Sequence, residues 1–421
     1  MFHHDCILYQ FIPRRNPCGA ELDKVLGCAT MWTTAVSNIN SGGETASGEC
    51  EGLVRKLGLP KLLFLLTLPV LASGQTTSRL YPIVERDRLG FIDSRGKEII
   101  AAQFTGYECS FRTLPQFSEG LAPVQDGSKL GYIDQTGKFV FVLPPHFMDP
   151  HPFREGVALV RISTYLLKVP DQWAWIDRTG HLLHATVMGL PTEFHEDLMR
   201  SQTGQYWGYL DHSFQWAIPP RFQRAEDFSD GLALVSMLNG SKPEWAYIDK
   251  TGSVVFKEGS DYSTASNFAE GLARVMVTPG DGPRAHHSLV EFVDHTGHEV
   301  IPPDFAYASF AFSDGYAFAS VDGRREMAVI DKSGKLLTPP DFDAFLASEF
   351  HEGLAAIRKG TVFGYIDPAG TWVIPPQYDE ANNFSGGLAL VVWRAKREWA
   401  YVDKRGQVVW KGIDRCQYPI P

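Results

Sequence analysis

GYIDPAGTWVIPPQYDEANNFSGGLALV, residues 364–391, carries four glycines, a proline pair and short aromatic or β-branched runs between them. Runs of that kind bounded by turn residues are the pattern of strands, not helices. Nearly the same sentence recurs as GYIDQTGKFVFVLPPHF from Gly131 and AYIDKTGSVVF from Ala246. One supersecondary unit written repeatedly marks a repeat architecture.

Alignment on the turn Asp-x-x-Gly finds Asp93, Asp134, Asp177, Asp211, Asp249, Asp294, Asp331, Asp367 and Asp403, spaced 34 to 45 residues apart. Nine units therefore fill residues 80–411. The last shows three strands, LALVVW from Leu388, WAYVD from Trp399 and QVVW from Gln407, and YDEANNF offers a weaker fourth before them. No helical period is evident. Asp opens a tight hairpin by accepting a hydrogen bond from an amide two residues on, and Gly takes the left-handed conformation at its end. Eight of the nine copies keep that Gly; Phe214 replaces it in the fourth unit. Turn geometry accounts for the recurring Asp without metal ligation, since no EF-hand-like run of oxygen ligands accompanies it.

Alternation sorts the faces of the second strand. One position is small in eight units, as at Gly364 and Ala400, with Glu291 the outlier, and a small residue there admits close approach by a neighbour. The next is aromatic in eight units, from Phe91 to Tyr401, with Val329 in the seventh. Such a stripe is expected to be inter-repeat core, with stacking on sugars as the alternative. A second phrase, Phe-x-Glu/Asp-Gly-Leu-Ala, begins at Phe117, Phe153, Phe228, Phe268 and Phe350, with variants at Phe194, Phe312 and Phe384. Its Phe anchors a turn and its Gly permits sharp entry into the next strand. Proline pairs at Pro144, Pro219, Pro302, Pro339 and Pro375 are expected to end a strand, because Pro cannot donate to a ladder.

YWGYLD at Tyr206, followed by AIPPRFQRAEDFSDGLALV, resembles the bacterial WG repeat, also called the KWG repeat. The resemblance covers about three quarters of the chain, although only Trp207-Gly208 keeps the eponymous pair. It implies a β-rich repeat scaffold and brings no shared catalytic residues. The expected fold is all-β, a tandem array of nine short antiparallel β-meanders, either β-propeller-like or an open β superhelix. Ring closure often borrows a strand from the opposite terminus, and nothing after Gln407–Trp410 obviously supplies one.

Residues 1–80 lack the repeat and hold Cys6, Cys18, Cys28 and Cys50. Arg55, Lys56 and Lys61, an apolar run from Leu62 to Leu71, then Ala72, Ser73 and Gly74 give the three-part order of a secretory signal peptide over 54–74. Its internal position suggests translation starting near Leu53 or Val54, with residues 1–53 an extension that is disordered or foreign to the natural chain. The run is too short to span a bilayer, which takes about 20 residues. The repeat array then occupies 75–411 and a tail 412–421, the location being periplasmic or secreted if the signal is used and cytoplasmic otherwise. Cys109 and Cys416 would pair only if the ends of the array meet.

A formal charge of −10 and the lack of any Lys/Arg stripe disfavour a nucleic-acid binder. No His-Glu-x-x-His, Gly-x-Ser-x-Gly or Cys-x-x-Cys occurs, and His181 and His184 lack an obvious third ligand, so neither metal nor other cofactor is expected. The favoured function is non-catalytic binding of a protein or cell-envelope glycan; a glycan or ester hydrolase on a propeller is the alternative. The connection from the first to the second strand has six residues in QDGSKL and RKGTVF but swells at 161–173, 236–245 and 276–290. Equivalent connections emerge on one edge, which would present Tyr165, Lys168, Lys242, Arg284, His286 and His287 as the candidate binding group.

Overall fold

From Leu80 onward the described residues fold as a succession of antiparallel meanders whose second strand ends at the recurring Asp or one residue before it. The computed structural model describes residues 79–105, 114–163, 172–186, 192–239, 242–257, 265–277, 288–309, 311–320, 326–339, 342–343 and 348–413. All of them fall within the unit Thr76–Pro421. Among them nine meanders follow one another, from Tyr81–Glu85, Arg88–Ile92 and Glu98–Phe104 to Leu388–Trp393, Glu398–Asp403 and Val408–Ile413. In the seventh the third strand shrinks to the bridge Ile330–Leu336. The only helical turn among the described residues is the 3-10 turn Arg394–Lys396. The weak fourth strand expected in YDEANNF is present as Glu380–Ala381, paired outside Leu388–Trp393.

The Asp turn is built as its residues require. Asp93 Oδ1 accepts from the Arg95 and Lys97 amides at 2.9 Å each, and the Gly96 amide donates to the Asp93 carbonyl at 3.1 Å. Gly96 has φ 80° and Gly370 φ 79°; Phe214 takes the same left-handed conformation at φ 56°. Phe214 lies 4.7 Å from the His184 ring in a stack and 5.5 Å from the Trp175 ring, contacts that hold a conformation its Cβ disfavours.

The proline pairs do not all end strands. Trp216–Phe222, Glu299–Phe305 and Trp372–Tyr378 run through Pro219, Pro302 and Pro375. The register explains it: Phe363 faces Tyr378 and Tyr365 faces Ile374, so the third strand bulges between them. In a bulge the ladder asks no donor of the prolines. The bulge crosses directly over the small position of the second strand, where a Cβ added to Gly364 would lie 2.4 Å from the Ile374 carbonyl oxygen.

The aromatic stripe is core and unavailable to sugars, because Phe91, Tyr132, Tyr209, Tyr247 and Tyr365 are all fully buried. Each buried hydroxyl is satisfied by the following repeat. Tyr132 donates to the His151 carbonyl at 2.6 Å, Tyr209 to Glu226 at 2.7 Å, Tyr247 to Ser266 at 2.6 Å and Tyr365 to Asn382 at 2.7 Å. Burial holds the Tyr132 phenol well above its ordinary range, so it stays a donor.

Between the open superhelix and the ring, side-chain packing selects the ring. Leu80, Tyr81, Ile83 and Phe91 of the first repeat share one hydrophobic cluster with Ala122, Val124 and Ile133 of the second. The same cluster holds Leu388, Val392, Trp399 and Tyr401 of the ninth. A Cβ on Gly96 would meet the Val409 carbonyl oxygen at 2.5 Å, just as one on Gly137 would meet Ile100 Cγ2 of the preceding repeat at 2.9 Å. The ninth repeat thus serves the first as each repeat serves its successor. Among the described residues no strand is exchanged between them: the first sheet comprises Tyr81–Glu85, Arg88–Ile92 and Glu98–Phe104, and the last ends at Ile413. Cys109 and Cys416, with the signal-like segment 54–74 and the rest of residues 1–78, lie outside the described residues.

Candidate functional surfaces

The meander has two edges. One carries the Asp turns together with the Phe-x-Glu/Asp-Gly turns that lead into the first strands; the other carries the hairpins between first and second strands. On the first edge the acidic residue of each phrase adopts a left-handed backbone, as at Glu119 (φ 51°), Glu270 (φ 53°) and Glu352 (φ 54°). Its carboxylate reaches forward to the next repeat. Glu119 accepts from the Gly156 amide at 3.1 Å, Glu196 from Gly231 at 2.9 Å, Glu270 from Gly315 at 2.9 Å and Glu352 from Gly387 at 3.0 Å.

In four of these brackets a cation from the same next repeat completes the arrangement, each time the residue after the recurring Asp. Arg178 lies 3.2 Å from Glu119, Lys250 3.6 Å from Glu196, Lys332 3.0 Å from Glu270 and Lys404 3.2 Å from Glu352. Partial burial alone would raise the Glu352 carboxyl, but Lys404 and the Gly386 and Gly387 amides outweigh it and hold the group below its usual range. At the ninth phrase position, Ser385-Gly386, no acid remains, and Tyr81 of the first repeat steps in. Burial pushes its phenol up to about 12, and it donates to the Ser385 and Gly386 carbonyls at 2.8 and 2.6 Å.

Three metal-capable groups converge among the described residues: Glu155, Asp197 and His212. Their positions mark them as another bracket. Glu155 already accepts from the Glu196 and Asp197 amides at 2.7 and 2.8 Å, and His212 Nε2, at 3.5 Å, occupies the place that other repeats give to Lys or Arg. Among the described residues neither His181 nor His184 belongs to a cluster of three metal-capable groups; His184 stacks on Phe214.

On the hairpin edge, the three long connections leave equivalent strand positions, since Val160 faces Ala174, Val235 faces Ala246 and Val275 faces Glu291. Tyr165, Lys168, Arg284, His286 and His287 lie outside the described residues, and Lys242 is described in its backbone alone. The second connection differs from expectation: it is a lengthened hairpin, with Ala233–Asn239 and Lys242–Ile248 paired from end to end.

A cleft of about 1220 Å³, missed in the sequence, opens where the first, second and third repeats meet. Arg79, Gln116, Ser118, Glu119, Gln125, Gln135 and Asp149 supply its polar lining. Arg79 donates to Gln116 Oε1 at 3.1 Å and Arg161 to Asp149 at 2.6 Å, so much of that polarity is internally matched. A cleft of this size admits a short peptide or oligosaccharide. No described helix is long and apolar enough to cross a membrane.

Comparison with known proteins places this architecture. A crystal structure of a eukaryotic initiation factor has a TM-score of 0.57 with this chain at 9% identity, covering 80% of this chain and 96% of that one. The likeness is one of fold alone. Looser similarity exists to Hsv2p of Kluyveromyces lactis (TM-score 0.34, 8% identity, 72% of this chain and 97% of that one). The β-propeller domain of the Trilobed protease from Pyrococcus furiosus is comparably distant (TM-score 0.35, 9% identity, 66% of this chain and 99% of that one). No curated protein is significantly similar in sequence. The WG containing repeat matches residues 90–129, 131–163, 207–240, 245–278, 292–324, 328–360 and 363–392, more than half of the chain, and the protein therefore belongs to the WG repeat family.

Proposed function

We propose that this protein is a non-catalytic scaffold of the cell envelope or extracellular space, holding a protein or glycan partner on its hairpin edge. The observation that carries this reading is the division of labour between the two edges. On the turn edge, charged residues recur in register and brace one repeat against the next, as with Glu352, Gly387 and Lys404. On the hairpin edge the repeats diverge, and connections that differ on a common framework are where recognition is usually grafted. A hydrolase would need carboxylates free to converge on a substrate, whereas the recurring carboxylates Glu119, Glu155, Glu196, Glu270 and Glu352 accept main-chain amides.

Replacing 161–173, 236–245 and 276–290 by six-residue turns tests the proposal. The melting temperature should hold while capture of the partner from native envelope extract is lost. Undiminished capture would put the partner elsewhere, with the cleft beside Arg79 the next place to examine. Hydrolysis of cell-wall glycan or aryl esters by the purified chain, abolished by one Asp or Glu substitution, would overturn the non-catalytic reading.

A further inference from the structure

The brackets of the turn edge run from the third repeat to the ninth and stop short of the second. In each of those seven repeats an amide of the Phe-x-Glu/Asp-Gly turn donates to a carboxylate of the repeat before it; Asp230 takes the Gly271 amide and Asp314 the Gly353 amide, both at 2.7 Å, beside the five glutamates already described. The second repeat presents the same turn. Ser118 and Leu121 exchange both main-chain hydrogen bonds across it, and Glu119 and Gly120 take left-handed backbones at φ 51° and 80°. Successive amides turned outward in this way form a concavity that favours an anion. In the ninth repeat the equivalent Gly386 and Gly387 amides both donate to Glu352.

What differs at the second repeat is the carboxylate. Tyr81 faces Ile92 as Ala122 faces Ile133, so the residues of the first repeat that stand at the places of Glu119 and Gly120 are Ser78 and Arg79. Neither is an acid, and among the described residues nothing accepts from the Gly120 amide. The cleft of about 1220 Å³ opens at this point, with Glu119, Gly120 and Gln135 in its wall. Gln135 follows the recurring Asp134 and so holds the position of Lys404, which lies 3.2 Å from Glu352. Its side-chain amide is a neutral donor where the other repeat has a cation.

The charge of the cleft points the same way. Of its lining residues only Arg79, Glu119 and Asp149 are charged. Glu119 is paired with Arg178 and Asp149 with Arg161. Arg79 donates to Ser385 Oγ and Gln116 Oε1, both neutral, and no described carboxylate pairs with it, so the unbalanced charge is positive. Pro115, Pro123, Met148 and Pro150 supply apolar walls suited to peptide side chains. The aromatic ring in the lining, Phe117, is taken up in an edge contact with Phe91 at 4.8 Å and leaves no open face on which a sugar would stack. We infer that this cleft receives a carboxylate of an acidic peptide, which accepts from the Glu119 and Gly120 amides and from Gln135, with Arg79 supplying the opposite charge. The peptide completes with its own acid the bracket that the first repeat leaves open. These anchoring groups lie on the turn edge, so failure of the site leaves the reading of the hairpin edge untouched.

The test titrates the full chain, labelled with 15N-glycine, with acetyl-Leu-Glu-Leu-amide, with its Gln counterpart, and with acetyl-Leu-Ala-Leu carrying a free C-terminus. The Gly120 resonance is identified by its loss in Gly120→Ala. The glutamyl peptide should move the Gly120 amide proton downfield and saturate, while the Gln peptide leaves it in place. Saturation by the free C-terminus, alone or as well, also supports the site and assigns it to a chain end. Gln135→Lys restores the cation of the other brackets and should tighten binding roughly threefold, a gain that misfolding cannot produce. Arg79→Gln should weaken it roughly threefold and Gln135→Glu about tenfold. No shift with either acidic peptide, an equal shift with the Gln peptide, or an affinity indifferent to Gln135 would overturn the inference. Glucuronate moving Gly120 while both acidic peptides leave it in place would overturn it too, by giving the cleft to an acidic glycan.

Discussion

Tyr81 of the first repeat and Tyr401 of the ninth pack ring against ring, with centroids 5.2 Å apart and planes inclined at 60°, while the Tyr401 hydroxyl donates to the Pro82 carbonyl at 3.1 Å. The two residues stand 320 positions apart in the chain, so their contact is the ring closure itself. In other repeats the equivalent Tyr reaches the carbonyl of the next outer segment, as Tyr365 does at Asn382.

Tyr81→Ala should therefore cost about 3–5 kcal/mol, the range for deleting a large buried aromatic side chain. Urea denaturation checks it. In an open superhelix Tyr81 would sit at a free end, and the variant would be nearly neutral. Tyr401→Phe keeps the packing and removes one buried hydroxyl, so it should cost roughly 1 kcal/mol. Tyr365→Phe, inside the array, should match it if the seam is built like the other interfaces.

Gly370 tests the turn assignment. At φ 79° it lies where a β-branched residue is strained, and Gly370→Val should lower stability by roughly 1–3 kcal/mol. An unchanged melting temperature would contradict the geometry.

Phe214 tests what the fourth repeat does without that glycine. Phe214→Gly relieves the left-handed strain but removes the stack on His184, two opposing effects of similar size. Phe214→Ala removes the same stack and keeps the strain. Alanine should therefore be the less stable variant by about 1 kcal/mol, and the reverse order in thermal melts would show that strain is not stored there.

The meander, its turns and the buried stripe were legible because each rests on local chemistry: alternation, an Asp that accepts amides two and four residues on, and a Gly at positive φ. Ring closure was not, since it depends on which surface Tyr81 meets 304 residues later at Ser385. The proline pairs misled because a bulge, set by the register of Phe363 and Tyr365 against Tyr378 and Ile374, removes the demand for donors that Pro cannot meet. The brackets left a faint trace: Arg178, Lys250, Lys332 and Lys404 each follow a recurring Asp, and each faces a Glu of the preceding phrase. That pairing was invisible until adjacent turns were seen to touch. The candidate binding group on the long connections was proposed from loop length, and its side chains lie outside the described residues.

The brackets predict how stability responds to acid. Glu270 and Glu352 are both held below the ordinary value of 4.5: partial burial opposes the effect, and Lys332 or Lys404 with the neighbouring amides overcomes it. A carboxyl whose folded pKa lies below its unfolded one binds protons more readily when unfolded. Its contribution is thus fully present above the unfolded value and is lost as pH falls through the folded one. The double variant Glu270→Gln, Glu352→Gln cannot titrate at these sites and forfeits the attraction to both lysines. These pairs are partly solvent-exposed, Glu352 at 31% and Lys404 at 44%, which screens them, so about 1 kcal/mol per bracket is expected at pH 7. The gap between native chain and variant should persist down to about pH 4.5, narrow below it, and vanish where the folded carboxyls protonate. Urea midpoints measured from pH 7 to pH 2.5 follow it directly. A gap that stays constant across that range would mean that the glutamates brace the ring by shape alone, without their charge.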